Sequence, residues 1–238
     1  MTTELRSKSY YDHFSEVYER RRHEGYHVLI DELEVRVAEP YCGGRVLEAG
    51  CGTGLILKRL APGAQQAVGI DLSSGMLSGA RRRGLSVLQG SVEHLPFPDE
   101  HFDAVVSFKV LAHVPNIRGA LAEFARVTRP GGHLVLEFYN RRSLRHLIKR
   151  VKRPTRVGSA YTDDDVFTRY DTIEEIKAYL PRGIHLHAVR GVRVVTPVSH
   201  VHDLPVVRSV FAAAERLASD APVLRGLGGF LIVVLRKE

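Results

Sequence analysis

The chain has 238 residues, of which 44% are hydrophobic and 26% are charged, a balance typical of one globular domain with a full core. No apolar run reaches the roughly 18 residues that a transmembrane helix needs. The two cysteines, Cys42 and Cys51, are too few for a disulfide framework or a zinc pattern. These features predict a soluble protein of the reducing cytoplasm.

The net charge of +7 comes from one segment rather than from the whole chain. Eight basic residues and no acidic ones lie within Arg141–Arg156, namely Arg141, Arg142, Arg145, Lys149, Arg150, Lys152, Arg153 and Arg156. The other 26 basic residues nearly balance the 27 acidic ones. Any attraction to an acidic partner or an anionic surface is therefore expected in this segment.

Short apolar runs alternate with helical patterns along the chain, which predicts βαβ units in an α/β fold. Seven strands are expected, at Arg45–Ala49, Ala67–Ile70, Leu85–Gln89, Phe102–Phe108, His133–Phe138, Ile184–Val195 and Phe230–Arg236. The clearest helices are expected at Leu55–Leu60, Gly75–Arg83 and Ile117–Thr128. Thr172 and Glu175 form the pattern of a capping box, which predicts a further helix over Ile173–Leu180.

A glycine-rich turn follows the first predicted strand, in the sequence Glu48-Ala49-Gly50-Cys51-Gly52-Thr53-Gly54. Glycines permit positive φ and let a ligand approach the backbone closely. In open α/β sheets, ligands bind outside the carboxyl ends of the strands, where this turn lies. The turn therefore predicts a nucleotide-like cofactor.

The charge beside this turn separates two classes of cofactor. Dinucleotide enzymes favour G-x-G-x-x-G and place a pyrophosphate on the helix N-terminus, whereas the spacing here is G-x-G-x-G. Glu48 would repel a pyrophosphate and attract a cation. S-adenosylmethionine carries an ammonium and a sulfonium but no phosphate, so the local charge favours it over NAD.

An acid also ends the second predicted strand, in Val68-Gly69-Ile70-Asp71. Asp71 follows Glu48 at nearly the spacing of a ribose-binding acid, and its two oxygens can accept hydrogen bonds from both ribose hydroxyls. The alternative is that Asp71 caps the next helix together with Ser73 and Ser74.

Together with Glu93–Asp99 and Arg126–Gly132, these residues resemble class I S-adenosylmethionine-dependent methyltransferases of the small-molecule type, which includes quinone and natural-product enzymes. The resemblance runs from about Val46 to Glu137. It implies a Rossmann-like, mostly parallel seven-stranded sheet with helices on both faces and lid elements over the carboxyl ends of the strands. It also implies S-adenosylmethionine as cofactor, with S-adenosylhomocysteine as product.

The resemblance implies a cofactor site made of Glu48, Gly50, Cys51, Gly52, Asp71, Leu72, Ser91, Val92, Glu93 and Phe108. The methionine part is expected near Glu48, the ribose at Asp71 and the adenine at Leu72. The family often has Asp where this chain has Ser91, whose hydroxyl could still accept a hydrogen bond from the adenine amino group.

Proton removal from an acceptor would need a base. His113, just after the fourth strand, is our single prediction, among candidates that include His13, His146, His200, His202 and Tyr139. Tyr11, Phe14 and Tyr18 recur at helical spacing, and with Tyr139 they are predicted to form a lid over cofactor and substrate; plain helix packing is the alternative. Asp163, Asp164 and Asp165 predict a solvated turn rather than a metal site.

The basic segment contains a predicted amphipathic helix over residues 143–152, because Leu144, Leu147, Ile148 and Val151 fall on one stripe. We expect this stripe to pack on the core or to cover the substrate. The alternatives are contact with an anionic membrane surface, with an acidic protein or a phosphate-bearing substrate, or with nucleic acid. Nucleic acid is disfavoured because Ser107–Val110 lacks the Asn-Pro-Pro-aromatic motif of amino-methylating enzymes.

We therefore predict one methyltransferase domain over 1–238 that methylates an oxygen, nitrogen or carbon atom of a small molecule. It divides into an N-terminal helical lid (1–43), a cofactor-binding core (44–139), a basic lid insertion (140–170) and the C-terminal part of the sheet (171–238). The alternatives are a quinone or lipid methyltransferase at a membrane surface, an RNA methyltransferase, and a non-catalytic protein that binds S-adenosylmethionine.

Overall fold

A seven-stranded sheet forms the centre of the protein. The computed structural model describes residues 3–19, 22, 25–151, 156–157, 161–162, 164–196, 205–222 and 224–238. The strands are β1 (Arg45–Ala49), β2 (Gln66–Asp71), β3 (Val87–Gln89), β4 (Phe102–Ser107), β5 (Thr128–Tyr139), β8 (Ile184–Val192) and β9 (Phe230–Lys237), while β6 (Arg156–Val157) and β7 (Tyr161–Thr162) form a separate two-stranded ladder.

The strand order is β3-β2-β1-β4-β5-β9-β8. The first five strands in this order are parallel, and β9 runs antiparallel to both β5 and β8. The predicted seven-stranded, mostly parallel sheet is therefore confirmed. Because the chain turns back at β1, between β2 and β4, a crevice opens at the carboxyl ends of these strands, where ligands bind in such sheets.

Helices cover both faces of the sheet. They are α1 (Thr3–Phe14), α2 (Gly25–Ala38), α3 (Leu57–Leu60), α4 (Ser74–Arg82), α5 (Ile117–Val127), α6 (Leu144–Val151), α7 (Ile173–Tyr179) and α8 (Pro205–Asp220). One buried cluster joins the sheet to α5 through Leu121 and Phe124. The other joins it to α2 through Ile30 and Leu33. Strands that are buried between two layers of helices have continuous apolar runs in the sequence.

Local signals in the sequence set several element ends. The predicted capping box is present, because Thr172 Oγ1 accepts from Glu175 N (3.3 Å) and Glu175 Oε2 accepts from Thr172 N (2.8 Å). Strand β8 ends at Val192 rather than at the predicted Val195. There Arg193 adopts a φ of +59°, and the Glu215 carboxylate takes the next backbone N–H groups in place of a neighbouring strand.

Two segments lie over the carboxyl edge of the sheet. Helix α1 is tied to the N-terminus of α4, because Asp12 Oδ1 accepts hydrogen bonds from Ser73 Oγ (2.6 Å) and Gly75 N (3.0 Å). The second segment follows α6 and includes Tyr161, whose hydroxyl lies 3.0 Å from Ser9 Oγ on α1. Arg6 and Asp165 form an ion pair of 3.0 Å between the same segments. The division of the chain into lid, core and insertion stays a prediction.

Candidate functional site

The glycine turn after β1 is held against β2. Gly50 and Cys51 donate their backbone N–H groups to Ile70 O (2.7 and 3.0 Å), and Gly52 N donates to Asp71 Oδ2 (2.8 Å). Gly50 has a φ of +79°, and a Cβ at this position would overlap the Val110 side chain. Gly52 also has a positive φ, of +53°. Only glycine takes this path without strain, so the backbone itself forms one wall of the crevice.

A cavity of about 310 Å³ lies beside this turn. It brings together most of the predicted site residues, namely Gly50, Gly52, Asp71, Leu72, Ser91, Val92, Glu93, Phe108 and His113, together with the predicted lid residues Tyr11, Phe14, Tyr18 and Tyr139. Glu48 and Cys51 instead line a smaller cavity of about 40 Å³. The two cavities share Gly50, Gly52 and Phe108, so the second continues the first beneath the glycine turn.

Asp71 lies at the end of β2, and its carboxylate joins the glycine turn to the start of α4. Oδ1 accepts from Ser73 N (2.9 Å) and Oδ2 from Gly52 N (2.8 Å). Burial raises the pKa of Asp71, while these two hydrogen bonds oppose the rise. The cap of α4 is Ser73, whose Oγ accepts from Met76 N. Each Asp71 oxygen keeps a lone pair for a further donor.

At the adenine end predicted from the family pattern, Ser91 already has a structural hydrogen bond. Its Oγ accepts from Glu93 N at 3.2 Å, which shapes the turn that carries Val92 and Glu93 into the cavity. The hydroxyl proton is not used in that bond. Ser91 therefore remains able to donate to a ligand from this wall.

Two buried polar atoms of opposite charge face the smaller cavity. Glu48 Oε2 and Arg22 Nε have no hydrogen-bond partner among the described residues, and both side chains line this cavity. Burial raises the pKa of Glu48 well above its usual range, so a cation bound beside it would favour its ionised form. Buried groups without partners are costly, and a ligand with both an ammonium and a carboxylate would satisfy both.

Sequence reasoning missed Arg22. It lies in the N-terminal segment, which was predicted as a lid, and its only local signal is its place at the end of a run of three arginines. Arg22 Nη2 pairs with Asp31 Oδ1 at 2.6 Å, and its guanidinium lies 4.8 Å from the centre of the Tyr18 ring. These contacts bring Arg22 from the lid to the glycine turn.

A cluster of charged side chains lies next to the cavity, which Lys109 lines. We define this charge cluster as Lys109, Asp31, Glu34 and Glu137. Lys109 Nζ lies 3.0 Å from Asp31 Oδ1 and 2.6 Å from Glu34 Oε1. Lys109 adopts a φ of +60°, which is rare outside glycine. Burial opposes its charge, but the two carboxylates raise its pKa well above the usual range. Burial raises the pKa of Glu137 well above its usual range and also raises that of Glu34, so both carboxyls take up protons more readily than in water.

The aromatic side chains predicted to form a lid line the cavity. The Phe14 ring centre lies 5.3 Å from that of Tyr18, and the Tyr11 ring centre lies 6.1 Å from that of His113. Tyr11 and Tyr18 are half-buried, and desolvation of their hydroxyls raises the pKa of both. The rings therefore do more than pack one helix, because the same side chains line the cavity.

His113 is held in one tautomer. Its Nδ1 lies 2.9 Å from Phe167 O, and because a carbonyl only accepts, Nδ1 must carry the proton. Nε2 then has a lone pair, 3.5 Å from the Tyr139 hydroxyl. Burial lowers the pKa of His113 to about 4, so the ring is neutral at physiological pH. Burial also raises the pKa of Tyr139 to about 12.

The other histidines predicted as candidate bases lie elsewhere. The His146 ring centre lies 4.1 Å from that of Tyr170 in a tilted arrangement, and the His13 ring centre lies 5.8 Å from that of Tyr161. Neither histidine lines the larger cavity. His200, His202 and Asp163 lie outside the described residues. Asp164 pairs with Lys149 (2.9 Å), and Asp165 Oδ2 accepts from Thr162 N (2.8 Å).

The predicted basic helix is present as α6, but its apolar stripe does not pack on the core as expected. Leu144, Leu147 and Val151 are exposed. The reason is Arg145, whose guanidinium lies 4.3 Å from the Tyr139 ring centre and 4.8 Å from that of Phe230. These cation–π contacts turn the arginine inward and the leucines outward.

Comparison with known proteins agrees with this geometry. A family model for a methyltransferase domain matches residues 47–136. A demethylmenaquinone methyltransferase of Mycobacterium sp. (strain KMS) is 45% identical over 95 residues, which are 40% of this chain and 41% of that protein. A fatty-acid O-methyltransferase of Mycolicibacterium smegmatis is 42% identical over 99 residues, covering 39% and 36%. The chain spans about two fifths of the length of these relatives.

The resemblance in fold extends further than the resemblance in sequence. A solved S-adenosylmethionine-dependent methyltransferase of Thermotoga maritima, described as a possible histamine N-methyltransferase, superposes with a TM-score of 0.67 and 22% identity over 97% of this chain and 99% of that one. Residues 47–136 therefore match the family model of a methyltransferase domain, within a chain that has the Rossmann-like fold of this solved methyltransferase.

Proposed function

We propose that the chain is an enzyme that moves a methyl group from S-adenosylmethionine to an oxygen, nitrogen or carbon atom of a small molecule. The observation that carries this proposal is the pair of buried, unpartnered atoms Glu48 Oε2 and Arg22 Nε at one end of the crevice, with Asp71 at the other. An acidic and a basic group beside a further carboxylate suit an amino acid joined to a nucleoside. It does not suit a dinucleotide, whose pyrophosphate would meet Glu48.

The chain's own residues would hold each part of the cofactor. Arg22 would bind the α-carboxylate, Glu48 the ammonium, and Asp71 the ribose hydroxyls, while Leu72 would pack against the adenine. When bound, S-adenosylmethionine supplies a methyl group that its sulfonium already activates. The protein then has to align the acceptor, exclude water and take up a proton where the acceptor carries one.

The acceptor would lie between the aromatic lid and β5. Tyr11, His113 and Tyr139 wall this part of the cavity, which favours a small molecule with a flat or apolar body over a nucleic acid. The names of the relatives, which include a demethylmenaquinone methyltransferase and a fatty-acid O-methyltransferase, support an amphiphilic acceptor. The larger cavity is bounded by aromatic rings and has a volume of only about 310 Å³, which disfavours an RNA substrate.

The two ends of the cofactor site can be tested separately by calorimetry. We expect Arg22→Gln to weaken the binding of S-adenosylhomocysteine roughly tenfold or more, because one hydrogen bond between charged groups is lost. It should leave 5′-methylthioadenosine unchanged, since this ligand lacks the amino acid. Arg216→Gln, in an exposed ion pair with Glu32, is the matched control. Equal losses for both ligands would contradict the assignment, and binding of NADH instead of S-adenosylhomocysteine would overturn the proposed function.

We propose His113 as the group that takes the proton from a hydroxyl acceptor. Its Nδ1–H is fixed by Phe167 O, so Nε2 is the accepting atom, with the Tyr139 hydroxyl beside it. We expect the His113 ring resonances to stay constant from about pH 5.5 to 8, because its pKa lies near 4 instead of near the usual 6.5.

A variant extends this test to turnover. His113→Asn should lower kcat at least about tenfold with hydroxyl acceptors and leave S-adenosylhomocysteine affinity unchanged. His146→Asn serves as control, because the His146 ring packs against Tyr170 and does not line the cavity. A ring that titrates near pH 6.5, or full turnover in His113→Asn, would argue against His113 as the base.

A further inference from the structure

Helix α6 presents three aliphatic side chains to solvent. Leu144, Leu147 and Val151 have exposed fractions of 55%, 59% and 82%. They fall at positions i, i+3 and i+7, so they form one continuous stripe, which we call the α6 outer face. A short helix normally buries such a stripe against the protein. Here the stripe is left without a partner among the described residues.

The contacts of Arg145 keep the outer face turned outward. Its guanidinium packs on the rings of Tyr139 and Phe230, and Ser143 Oγ caps the helix by accepting from His146 N (3.1 Å). Turning the stripe inward would remove the cation–π contacts and bury the polar side of α6. The exposure is therefore set by the packing of the helix rather than by a loose segment.

A second apolar element adjoins the start of this segment. Asn140 Nδ2 donates to Gly226 O and Gly228 O, both at 2.8 Å, which ties the end of β5 to the short 3-10 helix Leu224–Leu227. Leu224 and Leu227 are also exposed. Exposed aliphatic side chains therefore lie on both elements that meet at the carboxyl end of β5.

Cations surround the outer face. Arg150, which is exposed, lies between Leu147 and Val151 in the sequence, and Arg141 and Arg142 precede the stripe. Arg141 pairs with Glu175 at 2.7 Å, and Arg142 only loosely with Glu174 at 3.7 Å. By sequence, Lys152, Arg153 and Arg156 follow with no acid before Asp163. The combination is an aliphatic stripe with a positive border.

We propose that the α6 outer face docks on an anionic lipid bilayer. Aliphatic side chains inserted among acyl chains and basic side chains at the headgroups are the two contacts by which amphipathic helices bind such a surface. The positive border favours lipid headgroups over a neutral protein groove. The absence of aromatic rings from the outer face disfavours single-stranded nucleic acid, which binds by base stacking.

Docking would place the entrance of the site at the bilayer. Arg145 connects α6 to Tyr139, which walls the acceptor end of the cavity. An amphiphilic acceptor could then pass from the lipid phase to the site without crossing water. Docking itself rests only on the outer face, whereas delivery of the acceptor from the bilayer rests on the proposed function. No helix among the described residues is long and apolar enough to cross a bilayer, so the contact is peripheral.

The test is co-sedimentation of the full chain with vesicles of phosphatidylglycerol and phosphatidylcholine, compared with vesicles of phosphatidylcholine alone. We expect binding to the anionic vesicles, weaker binding at raised salt, and little binding to the neutral ones. The variant Leu144→Ser/Leu147→Ser/Val151→Ser should reduce the partition coefficient roughly tenfold or more. The matched control is Val210→Ser/Leu217→Ser on α8, which removes two side chains that are 64% and 77% exposed and should bind vesicles as the unchanged chain does.

Each outcome decides between the alternatives. Equal sedimentation of the triple variant, or no binding of the unchanged chain to anionic vesicles, would overturn the docking proposal. Binding of DNA or RNA that the triple variant also loses would assign the face to nucleic acid instead. S-adenosylhomocysteine binding is measured on the same samples, so loss of the proposed function is distinguished from loss of docking.

Discussion

Replacing Asp71 by alanine is expected to weaken S-adenosylhomocysteine binding by roughly 100-fold or more. Two ribose hydroxyls would lose a charged acceptor, and each such hydrogen bond contributes about 1.5–3 kcal/mol. The glycine turn would also lose its anchor, since Asp71 Oδ2 accepts from Gly52 N. Unlike Arg22→Gln, this variant should weaken 5′-methylthioadenosine and S-adenosylhomocysteine alike, because both ligands carry the ribose.

Two further variants separate recognition from folding. Asp71→Asn keeps one oxygen acceptor and should lose less affinity than Asp71→Ala. Asp99→Ala removes an exposed carboxylate that pairs with Arg126 and should bind the ligand normally. Calorimetry gives the affinities, and urea unfolding shows whether each variant is folded. Unchanged affinity in a folded Asp71→Ala protein would show that Asp71 does not bind the ribose.

Replacing Lys109 by methionine is expected to lower the free energy of unfolding by about 3–5 kcal/mol, the usual cost of removing one partner of a buried ion pair. Asp31 and Glu34 would remain without their cation, close to the buried Glu137. The loss of unfolding free energy should shrink as the pH falls from about 8 to 5. Without Lys109, the carboxyls have a raised pKa in the folded state, so they take up protons there more easily than in the unfolded state.

Urea unfolding at several pH values measures this effect. Lys58→Met, at an exposed position, is the control and should change stability little. The double variant Lys109→Met/Glu34→Gln should recover part of the loss, since it removes one of the two stranded carboxylates. A loss below about 1 kcal/mol, the range of a surface pair, or a loss independent of pH, would show that the cluster is not held by Lys109.

Features with a local signal could be predicted from the sequence. The strands β1, β4 and β9 are apolar because helices bury both faces of the sheet, and this burial is visible in single runs of residues. Gly50 and Gly52 reveal the turn because no other residue takes their backbone path without strain. Asp71 could be placed in the cavity because it ends a strand in the same layer as the glycine turn.

Features that depend on distant partners could not be predicted. Lys109 is 75 positions from Glu34, and no local pattern joins the two. Arg22 reaches the site only because Asp31 and Tyr18 hold it there. The periodicity of α6 showed that an apolar stripe exists, but its direction depends on Phe230, on the last strand. Helical spacing identifies a face and leaves open which side of the helix meets the protein.

The bond between Asp12 and Ser73 has a consequence for the order of events at the site. Ser73 offers its hydroxyl to α1 and its backbone N–H to Asp71, so closure of the N-terminal helix and capture of the nucleoside share one residue. By thermodynamic linkage, if the ligand stabilises the bound position of α1 by some factor, that position of α1 must strengthen ligand binding by the same factor. Release of a bound nucleoside would then be coupled to any movement of α1 that breaks the hydrogen bond between Asp12 and Ser73.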